Sequence, residues 1–157
     1  MGDFFVSVLE NESGITRRVI AAVPADKVDY TPDPKSMTAL ALAYHIAVSE
    51  VWFLSSVAKG SYEWTGGSMP ESIKTPADVV AWYDANRAPA LDKVKATSPD
   101  VLAQPVTVFG PPEPNVTYLA MCIRHGVHHR GQLSAYLRPM GGKVPSIYGG
   151  SADEPMS

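Results

Sequence analysis

Three of the chain's four histidines, His125, His128 and His129, fall within five positions of CIRHGVHHRGQLSAYLRPMGG. An α-helix turns about 100° per residue, so residues four apart stand about 40° from each other on adjacent turns. His125 and His129 can therefore reach one ion. His125 and His128, about 60° apart, can do so too, whereas His128 and His129, about 100° apart, are poor joint ligands. The neighbours choose between the pairs. His129 shares its stripe with Cys122, His125, Leu133 and Tyr136, a largely apolar face that reads as inward. His128 shares its stripe with Arg124, Gly131, Ala135 and Arg138, a basic flank suited to solvent or a subunit boundary. The expected pair is His125 and His129.

Two imidazoles seldom hold a metal alone, since catalytic zinc sites have three protein ligands and an open position. The fourth histidine, His45 in LALAYHIAVSEVW, stands in an apolar helical stretch between Ala41, Leu42, Val48 and Trp52. A neutral imidazole there needs a partner for each ring nitrogen, and a metal supplies one. His45, His125 and His129 are thus the expected ligands of a divalent metal. Imidazoles suit zinc, nickel, iron or copper, and ligand type alone does not choose among them. Cys122, one turn before His125, reads as a small core hydrophobe rather than a thiolate ligand.

Arg130 and Gln132 are candidates to brace the ligands, a common need of metal-bound histidines, and equally candidates for surface or interface positions. Tyr148, in the tail GGKVPSIYGG, is a candidate to fold over the bundle end and line the site. The HExxH motif is absent, because Gly126 stands where its glutamate would be. TGGSMP and PMGGKVP lack the lysine and the preceding strand of a phosphate loop, and no nucleophile elbow occurs.

Four helix-length segments must position these residues. The first covers roughly 3–22. The second covers about 36–59, with Ser36 as N-cap, Met37, Leu40, Tyr44, Ala47, Val51 and Leu54 as its stripe, and Gly60 just past its end. The third runs from Thr75 as N-cap, through Pro76 at the first helical position, to about Thr97, with a kink or break expected near Pro89. The fourth runs from about Asn115 to Arg138. PVTVFG reads as an extended connection without a partner strand. Four such helices make an all-α four-helix bundle. The connection GSYEWTGGSMPESIKTP is long enough to cross over and let helices two and three run parallel.

The chain's 157 residues fit one domain, 1–157, with 140–157 as a tail packing on the bundle. Hydrophobic content of 45% with 18% charged residues is ordinary for a globular protein. A net charge of −3 offers no footprint for nucleic acid. One cysteine excludes an internal disulfide and suits a reducing cytosol, so a cytoplasmic location is expected. The start MGDFFVSVLENESG does not read as a signal peptide, and no run of about 18 apolar residues suggests a membrane span.

The run VPADKVDYTPDPKSMTALALAYHIAVSE, followed by HGVHHRGQLSAYLRPMGGKVPSIYG, resembles the DinB/YfiT-like metalloprotein superfamily over most of the chain. The HxxxHRGQ run paired with a second-helix histidine is its most specific feature. The resemblance implies an up-down-down-up bundle, a metal held by His45, His125 and His129, and a homodimer. It implies relatives that are bacillithiol- or mycothiol-dependent S-transferases, a mycothiol-dependent maleylpyruvate isomerase and metal-dependent hydrolases. The function expected is a thiol S-transferase acting on electrophilic small molecules, with zinc or nickel as the ion and a low-molecular-weight thiol as partner. A metal-dependent hydrolase and a non-catalytic metal-binding stress protein are the alternatives.

Overall fold

Each long helix is bounded by residues suited to its ends. In the computed structural model, which describes residues 2–64 and 68–156, α1 spans Gly2–Ala21, with Asp3 in its first turn and Arg18 in its last, both favourable to the helix dipole. Helix α2, Ala39–Lys59, is capped by Thr38, whose side chain accepts from the amide of Ala41, and it ends at Gly60 in the left-handed region (φ 71°). Ser36 is therefore not the cap. Its amide closes a turn onto the Asp33 carbonyl, and Met37, expected on the stripe, precedes the helix and is 44% exposed.

Helix α3, Pro76–Lys95, opens with a capping box in which Thr75 and Asp78 satisfy each other's backbone amides. It runs unbroken through Pro89, so no division into two pieces occurs. Pro89 and Ala85, whose carbonyl loses its helical partner there, both lie on the exposed face, where water can hydrate it. A short helix, α4 (Pro99–Ala103), follows behind a Ser98 cap, and Pro105–Val106 (β1) pairs antiparallel with Glu113–Pro114 (β2). PVTVFG thus has a partner after all, supplied by the proline-rich turn that follows it. Helix α5 spans Thr117–Leu137. Thr65, Gly66 and Gly67 of the expected crossover, and so the first part of TGGSMP, lie outside the described residues.

The contacts fix the topology. On α2 and α3 the numbers rise together, Tyr44 against Trp82 and Glu50 against Arg87, so these helices are parallel. On α2 and α5 they run oppositely, His45 against His129 and Phe53 against His125. Helices α1 and α3 are antiparallel, with Arg17 on Asp84 and Glu10 on Lys95. Helix α1 runs alongside α5 in the same direction, since Val6 and Leu9 share a core with Leu119, and Val19 and Ile20 share one with Leu133 and Leu137. This is the up-down-down-up bundle. Among the described residues α2 alone is long and apolar enough to cross a membrane, with hydropathy 1.4, but 67% of that window is buried against the other helices.

The apolar interior falls into two clusters. One gathers Val19 and Ile20 with Leu40, Leu42, Ala43, Ile46 and Ala47 of α2, Val79 and Leu133; the other gathers Val6, Leu9, Phe53, Leu54, Leu91, Leu119 and Cys122. Polar residues sit between them in the order of every helix: Glu12 and Thr16, Ser49 and Glu50, Arg87, then His125, His129 and Arg130. Glu50 accepts from Arg87 Nε at 2.6 Å and from the Tyr83 hydroxyl at 2.7 Å, while Arg87 also donates to the Leu9 carbonyl at 2.5 Å. Removing one partner of such a buried pair strands the other charge. Glu50→Ala is expected to lower stability by about 3–5 kcal/mol in urea unfolding, and Glu50→Leu combined with Arg87→Met by clearly less.

Candidate metal centre

The antiparallel contact of α2 with α5 sets the histidines face to face. Its register is pinned near one end by Asn115, fully buried just before α5, which donates to the carbonyls of Val57 and Val101 and accepts from the Tyr62 hydroxyl at 2.6 Å. From that anchor the helical period carries His125 and His129 to the level of His45. Ring centroids are 5.0 Å apart for His45 and His125, 4.6 Å for His45 and His129, and 4.4 Å for His125 and His129. One ligand nitrogen from each lies within 4.8 Å of the others. Metal–imidazole bonds of about 2.0–2.1 Å place such nitrogens around one ion after small side-chain rotations. The three histidines can hold a metal ion.

The hydrogen bonds of the rings fit that use. His129 Nδ1 donates to Gln132 Oε1 at 3.0 Å, and Gln132 Nε2 in turn donates to the Tyr136 hydroxyl at 3.3 Å. Because the amide oxygen can only accept, the proton sits on Nδ1 and the Nε2 lone pair is free. The Ser49 hydroxyl stands 3.4 Å from His45 Nδ1, one turn along α2, and can accept its proton in the same way. Partners on the outer ring nitrogen are what metal-ligating histidines ordinarily have.

Burial and the neighbouring rings favour the neutral form at two of the ligands, His45 and His125. Burial, reinforced by His129, lowers the pKa of His45. Burial, with the neighbouring His129, His45 and His128, lowers that of His125 to about 4. An uncharged imidazole is the form that ligates, so the lowered pKa values of His45 and His125 favour entry of an ion.

The other candidates separate. Gln132 touches the centre directly. Arg130, only 2% exposed, follows His129 but is turned toward α1, where it donates to Thr16 Oγ1 at 3.1 Å and pairs with Glu12 at 2.5 Å. Tyr148 joins that pair: its hydroxyl donates to Glu12 at 2.7 Å, it is hydrogen-bonded by Arg130, and its ring lies 5.3 Å from the guanidinium carbon. Arg130 and Tyr148 thus tie the tail to α1 and α5, and their hydrogen bonds run away from the histidines. His128 is exposed beside His129. Cys122 is sealed in the second apolar cluster, where burial pushes its thiol pKa up, and it is not part of the ligand group. Sequence reasoning missed Ser49, although its position four residues after His45 is the signal that could have found it.

A sequence model described as the DinB family matches residues 1–156. Two Bacillus subtilis (strain 168) proteins align along most of their length. "Uncharacterized protein YrdA" is 23% identical over 97% of this chain and 90% of its own, and "Uncharacterized protein YjoA" is 25% identical over 87% and 88%. The crystal structure of the DinB-like YjoA superposes with a TM-score of 0.74 at 21% identity, covering 91% of this chain and 96% of that one. A DinB-like protein from Bacillus cereus gives 0.76 at 22% identity, covering 92% and 95%. The fold is shared with both.

Two outcomes follow from this geometry. Gln132→Ala should weaken zinc affinity about 10–100-fold in competition titrations while leaving the far-ultraviolet circular dichroism unchanged. His125 binds a proton readily only when unfolded, so below about 6.5 the unfolded chain takes up more protons and metal-free protein loses stability down to about pH 4. His125→Phe should lose less stability over that window, read as the difference between the two thermal-melting profiles.

Proposed function

Because the chain belongs to the DinB family, we propose that it is a divalent-metal-dependent enzyme, a thiol S-transferase acting on electrophilic small molecules, with zinc or nickel held by His45, His125 and His129. The observation that carries the proposal is a ligand group of three imidazoles which, among the described residues, no carboxylate or thiolate joins. Three protein ligands with one position left over is the pattern of catalytic rather than structural sites. A divalent ion in such a site acts as a Lewis acid and lowers the pKa of a thiol or water that it carries.

The chain's own residues support S-transfer over hydrolysis. Gln132 and Ser49 orient the ligand rings, and Phe53, edge-on to His125 at 5.7 Å, keeps one side of the centre apolar. Hydrolysis with a poor leaving group would draw on a general acid or base beside the attacked bond, in addition to the lowered pKa of the water. The nearby carboxylate on α2, Glu50, is committed to Arg87 and Tyr83. A thiolate needs no such base once its proton has gone to solvent. Its sulfur then bonds to an electrophilic carbon, and the leaving group departs with the bonding pair.

The test is conjugation of monochlorobimane with bacillithiol, mycothiol, glutathione or cysteine by zinc- or nickel-loaded protein. Conjugate should form faster than the uncatalysed rate with at least one thiol, and His129→Ala should return it to that rate. Hydrolysis of an activated ester without thiol, and no conjugation with any of the four, would favour a hydrolase instead.

A further inference from the structure

A cavity of about 220 Å³ lies between the β1–β2 loop and the first half of α5, lined by Phe109, Glu113, Thr117, Tyr118, Met121 and Arg124 among others. Two of its walls lead to the same histidine. Met121 is four residues before His125, so that wall ends about one helical turn, roughly 5 Å, short of a ligand. The Phe109 ring lies 6.5 Å from Phe53, which in turn lies 5.7 Å from His125. Phe109 also faces Tyr118 at 6.3 Å and is 63% exposed, so its ring is open to a ligand. Cavities of about 520 Å³ between α1, α3 and α4 and of about 620 Å³ between α2, α3 and α4 have no such connection to the histidines.

We propose that this cavity is a subsite for one neutral, planar aromatic ring, carried by the molecule that takes the open position at the histidines, with Phe109 as the selecting residue. The inference rests on the metal reading of His45, His125 and His129. Size sets the single ring, since an apolar cavity of about 150 Å³ already holds benzene. Wall chemistry sets its planarity: Phe109 and Tyr118 offer aromatic faces and Met121 a polarizable sulfur that packs against rings. Charge sets its neutrality, because Glu113 and Arg124 line the cavity with one charge of each sign.

Imidazole and 4-phenylimidazole share a metal-binding ring and differ by the phenyl group, so they separate the two claims. Titrated into cobalt-loaded full-length protein and followed by the cobalt d–d bands, 4-phenylimidazole should bind about tenfold more tightly than imidazole. Phe109→Ala, on an exposed ring whose loss the fold tolerates, should erase most of that ratio while leaving imidazole affinity unchanged. Equal binding of the two ligands, or a ratio untouched by Phe109→Ala, would overturn the subsite while leaving the metal centre standing. Absence of any cobalt band would overturn the metal reading itself, and the subsite with it.

Discussion

The register of α2 against α5 is the constraint on which the centre depends. Imidazole is short and rigid, so side-chain rotation makes only small adjustments and the backbone beneath must set the rest. A slip of one residue on either helix would swing a ligand by about 100° and carry it about 1.5 Å along the axis. Asn115 opposes such a slip from one end, bonded to the last turn of α2 and to α4. At the other end, Leu133, Tyr136 and Leu137 pack into the cluster that contains Leu42, Ala43 and Ile46. Between those fixed ends the three rings meet.

Polar groups at the waist of the bundle share out the remaining interfaces. Glu50, Arg87 and Tyr83 join α2 to α3 and, through the Leu9 carbonyl, to α1; Arg130, Glu12 and Tyr148 join α5 to α1 and the tail. Buried charges of this kind add little net stability compared with apolar packing, but a mispaired bundle would leave them unsatisfied. They therefore discriminate against other arrangements of four similar amphipathic rods. The histidines occupy the α2–α5 interface at the same level, and their Nδ1 contacts are the only anchors the rings of His45 and His129 need if a metal takes the other nitrogen.

Much of this was legible in the sequence wherever the information was local. The Thr75–Pro76 start of α3, Gly60 at the end of α2, and the choice of His125 with His129 over His128 all follow from backbone geometry and the helical period. Ser36 misled because two candidate caps stand two residues apart, and the turn residues of TPDPKS claim the first. Pro89 does not divide α3, because a proline that faces solvent can be tolerated where a buried one is not. The Glu50–Arg87 pair joins residues 37 apart. No periodicity reveals such a partner, although a glutamate inside LALAYHIAVSEVW signals that one must exist. The sequence leaves Arg130 open between a brace and a surface or interface residue. Adjacency to His129 turns it about 100° around the helix, but its partners Glu12 and Thr16 on α1 lie far away in the chain.

The central claim is that three imidazoles from two helices form a binding site for one cation, and metal stoichiometry tests it most directly. Protein purified without a histidine tag, dialysed against zinc or nickel and then against buffer, should retain about one ion per chain by elemental analysis. His45→Ala should retain almost none while keeping its helical content. Wild-type protein that emerges free of metal, or a His45→Ala variant that holds as much as wild type, would contradict the account.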